Sequence, residues 1–201
     1  MPLRYLALGD SYTIGEDVPA QARWPVQVAE KLRARAFAID DPQIVAVTGW
    51  TTDELSDGMD KAELGASYDL VTLLIGVNNQ YRGRAAEEYR AQLRTLLMRA
   101  TTLAGKRAAR VVVVSIPDWG VTPFGHRSGR NLQQIAAELD AFNAIAREEA
   151  LAAGARFVNI TGISRDHASL VASDGLHPSG AQYALWTEAI EPAVAAALAQ
   201  H

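Results

Sequence analysis

The sequence contains no cysteine, which excludes disulfide bonds, thiolate catalysis and cysteine-ligated zinc or iron–sulfur sites. It also has no apolar run long enough to form a transmembrane helix, so no stable membrane insertion is expected. Positive charge is not in excess, because 19 Lys and Arg stand against 23 Asp and Glu, for a formal net charge of -4. A surface that follows nucleic-acid phosphates needs surplus Lys and Arg, so a nucleic-acid partner is not expected either.

The composition is that of an ordinary globular protein. The chain has 201 residues, of which 49% are hydrophobic and 21% charged, and this length suits one domain over residues 1–201. A core strand is predicted almost directly after Met1, which leaves no room for a cleavable signal peptide. The default expectation is therefore a cytoplasmic protein, while the sequence leaves the oligomeric state open.

Five short apolar segments rich in β-branched residues are predicted to form strands. They are apolar along their whole length, as in strands buried on both faces of a parallel sheet, and each is bounded by Gly, Asp, Asn or Pro. The predicted strands are Arg4–Leu8, Ile44–Val47, Leu70–Ile75, Val111–Ile116 and Phe157–Ile160.

Helical periodicity separates these strands. Apolar stripes begin at Trp24, Tyr89, Leu132 and Tyr183, and each is spaced as the core-facing side of an amphipathic helix. Alternating strands and helices with right-handed crossovers predict a three-layer α/β/α sandwich around a parallel sheet of about five strands, as in flavodoxin-like folds. In such sheets the ligand binds at the carboxyl ends of the strands.

Residues that could take part in catalysis or binding follow each predicted strand. The segments in chain order are Gly9-Asp10-Ser11-Tyr12, Thr48-Gly49-Trp50-Thr51-Thr52, Gly76-Val77-Asn78-Asn79, Pro117-Asp118-Trp119-Gly120 and Asp174-Gly175-Leu176-His177-Pro178. Together they offer a hydroxyl, a flexible glycine, an amide and an Asp/His pair. Acyl transfer needs these groups, because a serine becomes nucleophilic only beside a base, and the oxyanion of its intermediate needs hydrogen-bond donors.

The Asp/His pair is predicted to form on one local turn. Asp174 precedes His177 by three residues, and Pro178 restricts the histidine to an extended backbone. Ser179 and Gln182 then read as a capping box that starts the last helix. A carboxylate at this spacing can fix the tautomer of a general-base histidine.

Four of these segments together resemble the SGNH (GDSL-type) hydrolase superfamily. The matching blocks are GDSY at 9–12, TGWTT at 48–52, GVNN at 76–79 and DGLHP at 174–178. The G-x-S-x-G elbow of ordinary α/β-hydrolases is absent, because Thr13 stands two residues after Ser11.

The resemblance implies a role for each matched residue. Ser11 would be the nucleophile, His177 the general base and Asp174 the carboxylate that orients it. The backbone N–H groups of Ser11 and Gly49 and the amide of Asn78 would bind the oxyanion, and neither a metal nor an organic cofactor would be needed. Two positions depart from the usual pattern: Tyr12 replaces Leu, and Asn79 replaces Asp.

Some assignments stay open at this stage. Either Asn78 or Asn79 could be the loop-facing amide, although the block pattern favours Asn78. Asp10 is expected to act as a structural strut of the nucleophile turn. His126 and His167 are interpreted as surface residues, and His201 as a chain-end residue.

The substrate is expected to be a small ester, and a short-chain acyl or acetyl ester is favoured because no long apolar insertion could enclose a fatty chain. A long loop over residues 119–130 is predicted to shape the pocket, with Tyr81, Trp119 and Phe124 as substrate-binding candidates. The same machinery would serve an acyl-thioesterase, a lysophospholipase or a carbohydrate deacetylase. A non-catalytic flavodoxin-like binding module is the alternative from another class, although no G-x-G-x-x-G loop supports it.

Overall fold

A computed structural model describes residues 1–199 and places a parallel five-stranded sheet at the centre of the molecule. The strands lie in the order β2-β1-β3-β4-β5. Their bounds are β1 Tyr5–Gly9, β2 Gln43–Ala46, β3 Leu70–Leu74, β4 Val111–Val114 and β5 Arg156–Val158. The predicted three-layer architecture is confirmed, and each predicted strand overlaps an observed one with ends that differ by at most two residues.

The interior strands are buried along their whole length, which explains their continuous apolar sequences. The prediction of burial on both faces is wrong for the edge strands. All three residues of β5 are only half-buried, and in β2 Gln43 and Ile44 are half-buried. Val47, predicted to end the second strand, lies beyond it and is exposed. Edge strands have one neighbour fewer to cover them.

Nine helices flank the sheet within residues 1–199. Their bounds are α1 Ser11–Ile14, α2 Trp24–Ala34, α3 Thr52–Lys61, α4 Val77–Tyr81, α5 Ala86–Leu103, α6 Pro123–Arg127, α7 Leu132–Ala152, α8 Thr161–Asp166 and α9 Gly180–Leu198. Helix α2 packs on α9, whereas α5 packs on both α3 and α7, so two helical layers enclose the sheet. The four predicted apolar stripes belong to α2, α5, α7 and α9, the four longest helices.

Two segments differ from the sequence-based expectation. Helix α3 was not predicted, because only Leu55 and Met59 of its large apolar side chains reach the core. The capping box formed by Thr51 and Glu54 is the local signal that marks its start. The predicted long loop over 119–130 instead contains a 3₁₀ turn, Trp119–Val121, and the short helix α6.

The topology brings the chemically interesting segments to one edge of the sheet. Strand β1 pairs with both β2 and β3, so the residues that follow these three strands emerge side by side. The segment after Leu170 returns to the same edge before α9 begins, because α6 hydrogen-bonds to it through Phe124 N–H and the Gly175 carbonyl (2.9 Å).

Candidate active site

The predicted nucleophile, Ser11, is the first residue of α1 and is only 4% exposed. Backbone N–H groups in the first turn of a helix have no intrahelical acceptor. Gly9 is required just before it, since a Cβ there would lie 2.5 Å from the Leu74 carbonyl oxygen. The serine is therefore held on a tight turn between β1 and the short helix α1.

Asp10 is the N-cap of α1, which confirms the structural role expected of it. Its Oδ1 accepts a hydrogen bond from Tyr12 N–H at 3.0 Å. The residue is fully buried, and its Oδ2 has no hydrogen-bond partner within residues 1–199. Burial raises the pKa of the Asp10 carboxyl to about 7, although the bond from Tyr12 opposes the rise.

Asp174 and His177 lie on one loop that closes on itself before α9. His177 Nδ1 is 2.5 Å from Asp174 Oδ2, while Asp174 Oδ1 accepts the backbone N–H groups of Leu176 (2.8 Å) and His177 (3.0 Å). The Ala172 N–H donates to the His177 carbonyl at 2.7 Å. The predicted pairing of the two side chains is thus present and fixed by local backbone bonds.

The surroundings favour an ionised Asp174 beside a buried imidazole. Partial burial by itself would raise the pKa of Asp174, but the hydrogen bonds from His177 and from Leu176 N–H outweigh it and hold the pKa below its ordinary value. His177 is 8% exposed, and the ring of Tyr12 packs edge-on against it at 5.6 Å between centroids. Tyr12, a departure from the usual pattern, therefore forms one wall of the histidine site.

The predicted capping box at the start of α9 is only half formed. Ser179 Oγ accepts from Gln182 N–H at 3.4 Å. The Gln182 side chain does not return to the backbone of Ser179, as a capping box requires; it donates to the carbonyls of His167 and Leu170, both at 3.1 Å. Gln182 therefore ties the first turn of α9 to the end of α8 and the segment that follows it.

The two adjacent asparagines have different environments. Asn78 lines a cavity together with Ser11, and its amide donates to the Trp50 carbonyl at 2.9 Å. Asn79 is fully buried and faces α3, where it accepts from Thr52 N–H (3.1 Å) and donates to Thr52 Oγ1 (2.7 Å). An amide in place of the usual Asp thus uses both its acceptor and its donor to hold the start of α3.

A cavity of about 230 Å³ joins most of the predicted site residues. Its lining residues are Ser11, Tyr12, Val77, Asn78, Tyr81, Trp119, Phe124, Leu176 and His177. All three substrate-binding candidates line it. Gly49 and Asp174 do not line it. Gly49 is linked to the cavity through the adjacent Trp50, whose carbonyl bonds Asn78, and Asp174 is linked to it through its bond to His177. A larger groove of about 540 Å³ between α5 and α7 contains no predicted site residue.

The aromatic wall of the cavity, formed by Tyr81, Trp119 and Phe124, is held in place by neighbouring polar side chains. The rings of Tyr81 and Trp119 meet edge-on at 5.3 Å, and the Arg130 guanidinium lies over both rings at 5.4 and 5.2 Å. Trp119 Nε1 donates to Gln80 Oε1 at 2.9 Å, which satisfies the buried indole. Neither periodicity nor a motif in the sequence indicates that Gln80 and Arg130 support these rings.

The other histidines lie away from this cavity. His126 and His167 are exposed, as expected, and His201 lies outside the described residues. Within residues 1–199 no group of three or more His, Asp or Glu side chains is arranged to hold a metal ion. No helix in the same range combines the length and apolar character needed to cross a membrane.

The sequence profile of the GDSL-like lipase/acylhydrolase family matches residues 7–185. The chain belongs to this family. As a GDSL hydrolase it is an enzyme that acts on ester bonds, and the resemblance of its four sequence blocks is confirmed at the level of the family. No curated protein matches the chain in sequence.

Solved structures share the fold of this GDSL hydrolase at low sequence identity. A lipase/acylhydrolase from Enterococcus faecalis superposes with a TM-score of 0.75 at 20% identity, over 96% of this chain and 94% of its own. TesA gives 0.73 at 17% identity, over 97% and 99%. Axe2, an acetylxylan esterase from Geobacillus stearothermophilus, gives 0.72 at 18% identity, over 96% and 94%.

Proposed function

We propose that the protein hydrolyses short-chain carboxylic esters through an acyl-enzyme formed on Ser11. The observation that carries this proposal is one small cavity lined by Ser11, Asn78 and His177, with His177 bonded to Asp174 at 2.5 Å behind it. A hydroxyl, an amide donor and an oriented imidazole on one cavity wall are the groups that acyl transfer requires.

The proposed first step is acylation. Donation from His177 Nδ1–H to Asp174 leaves Nε2 free to accept the Ser11 proton as Oγ attacks the ester carbonyl. The tetrahedral oxyanion is bound by the backbone N–H groups of Ser11 and Gly49 and by the Asn78 amide. When the intermediate collapses, His177 returns the proton to the departing alcohol, and the acyl group stays on Ser11.

Deacylation repeats the same proton transfers with water. His177 takes a proton from a water molecule as its oxygen attacks the acyl carbonyl. The second intermediate expels Ser11 Oγ, which recovers the proton from His177, and a carboxylic acid leaves. The ionised Asp174 stabilises the imidazolium in both steps.

The dimensions of the cavity favour a small acyl group. Its volume of about 230 Å³ is below the range of roughly 300–1,000 Å³ usual for drug-sized ligands, and a cavity of about 150 Å³ already holds benzene. The apolar side chains of Val77, Phe124 and Leu176 suit a hydrocarbon chain of a few carbons. A long fatty chain would have to leave the cavity and lie in water.

Acetylated carbohydrate is the second candidate substrate. Tyr81 lines the cavity yet is 48% exposed, so its ring lies where the cavity opens. An exposed aromatic ring at that position gives a sugar-bearing alcohol a surface to pack on, and the fold is shared with an acetylxylan esterase. The acetyl group itself fits the same small cavity.

The test is a Ser11→Ala variant assayed with nitrophenyl esters of increasing chain length, an acetylated xylose, an acyl thioester and a lysophospholipid. We expect kcat to fall on the order of 10⁶-fold, with the short esters or the acetylated sugar as the best wild-type substrates. A fluorophosphonate probe should label the wild type on Ser11 alone. Ser56→Ala, whose hydroxyl bonds Arg99 and does not line the cavity, is the matched control.

Three results would contradict the proposal, two of them its mechanism and the third its substrate. Turnover by Ser11→Ala near the wild-type rate would remove Ser11 from the reaction. Failure of any serine to react with the probe would favour the non-catalytic binding module instead. A preference for long acyl chains, thioesters or lysophospholipids would keep the nucleophile but overturn the substrate assignment.

A further inference from the structure

Two side chains from one turn of helix hold consecutive carbonyls of the Gly49 loop. Asn78 donates to the Trp50 carbonyl at 2.9 Å, and Arg82 Nη2 donates to the Gly49 carbonyl at 2.6 Å. Arg82 follows α4 directly, and its own N–H donates to the Asn78 carbonyl at 3.0 Å. The loop that carries one proposed oxyanion donor is therefore attached at two points to the helix that carries another.

Gly49 needs such a restraint. It lies in the turn closed by the bond from Trp50 N–H to the Val47 carbonyl (3.2 Å), and its φ is 88°, in the left-handed region. Glycine reaches this region at no steric cost, but it also leaves it easily. With the Gly49 carbonyl free, the peptide planes on either side of this residue can rotate and change the direction of its N–H.

Arg82 is itself fixed by an acid. Its Nη1 donates to Glu54 Oε1 at 3.0 Å, while Glu54 Oε2 accepts the backbone N–H of Thr51 at 2.9 Å. Slight burial would raise the pKa of Glu54, but the bonds from Arg82 and Thr51 hold it below its ordinary value, so the pair stays ionised at neutral pH. The chain Gly49–Arg82–Glu54–Thr51 closes a ring of bonds around the loop.

We infer that Arg82 is a positioning residue, which orients the Gly49 N–H toward the substrate oxyanion without touching the substrate. This inference rests on the proposed function, because it assigns Arg82 a part in the same oxyanion site. Arg82 lies in none of the four sequence blocks that resemble the family, and only its contact with the Gly49 carbonyl indicates the role.

The experiment is Arg82→Ala, assayed with a short nitrophenyl ester. Loss of a whole oxyanion donor costs about 10²–10³-fold in kcat, so a disordered donor should cost about 10- to 100-fold, with KM nearly unchanged. Arg84→Ala is the matched control, because Arg84 pairs with Asp53 at 2.7 Å in the same helix turn as Glu54, and within residues 1–199 its side chain makes no hydrogen bond to residues 47–51. Its kcat should stay within about twofold of the wild type.

A second readout follows the loop directly by NMR. In Arg82→Ala, but not in Arg84→Ala, the Gly49 amide resonance should shift or broaden, and its hydrogen exchange should speed up. A normal kcat, a normal Gly49 amide, or a loss expressed in KM would each overturn the positioning role. Absence of esterase activity in the wild type would instead overturn the proposed function itself, so the two failures are distinguishable.

Discussion

The buried carboxyl beneath the nucleophile gives a prediction whose size follows from the structure. Asp10 is fully buried with one unpartnered oxygen, and its pKa is about 7 in the fold against an ordinary 3.8. Between about pH 4 and 7 the unfolded chain is ionised at this residue while the folded protein keeps the proton. Folding stability contributed by this residue therefore falls as pH rises through that window.

The magnitude comes from the displacement of the pKa. A difference of about three pKa units corresponds to about 4 kcal/mol in the free energy of unfolding, which is lost at about 1.4 kcal/mol per pH unit as the pH rises from about 4 to 7. Asp10→Asn keeps an oxygen that can accept from Tyr12 N–H and removes the titration. The free energy of unfolding of the variant, measured relative to that of the wild type, should therefore rise by about 3 kcal/mol between about pH 4.5 and 7. Any effect of the amide itself on stability is the same at every pH and does not change this rise.

The assay is urea unfolding of both proteins at several pH values across this range, compared as a difference so that other titrating groups cancel. Asp166→Asn, which removes an exposed carboxyl, controls for the loss of one negative charge. A difference between Asp10→Asn and the wild type that stays constant with pH would refute the reasoning. It would mean that Asp10 ionises normally inside the fold.

Three further changes have defined outcomes. Asn79→Ala leaves Thr52 N–H and Oγ1 without their buried partner and should cost about 2–3 kcal/mol in urea unfolding. Glu149→Gln weakens the two hydrogen bonds from Arg94 (2.6 and 2.9 Å) and should lower the free energy of unfolding by about 1–2 kcal/mol, a modest loss because Arg94 is itself exposed. This loss should disappear at acid pH, because the bonds from Arg94 lower the pKa of Glu149 and are lost in the wild type as well once its carboxyl is protonated. Asp174→Asn should lower kcat about 10⁴-fold in the ester assay, by removing the acceptor that fixes the histidine tautomer, and a loss below tenfold would speak against that role.

The architecture could be predicted from the sequence because each strand is a short, continuous apolar segment and each long helix carries one apolar stripe. The Asp174–His177 pair was predictable for a related reason: its geometry depends on three-residue spacing and not on distant contacts. Helix α3 escaped prediction because its sequence is mostly polar and reaches the core at few positions.

Contacts between residues far apart in the chain could not be predicted from the sequence. Nothing in the neighbourhood of Arg82 indicates that it reaches a carbonyl thirty-three residues earlier in the chain, and the separate roles of Asn78 and Asn79 depend on how α4 faces α3. The aromatic wall was predicted by position after the strands, whereas its brace through Gln80 and Arg130 depends on side-chain packing that no short pattern encodes.

The position of Ser11 directly after β1 has a consequence for the newly made chain. The proposed nucleophile is synthesised before β2 and β3, with which β1 pairs, and the proposed base follows only at residue 177. If the proposed mechanism holds, an incomplete chain has the serine without its histidine and is inactive on esters. Activity would then appear only when the loop before α9 packs against the rest of the fold. The onset of activity would therefore report when folding is complete.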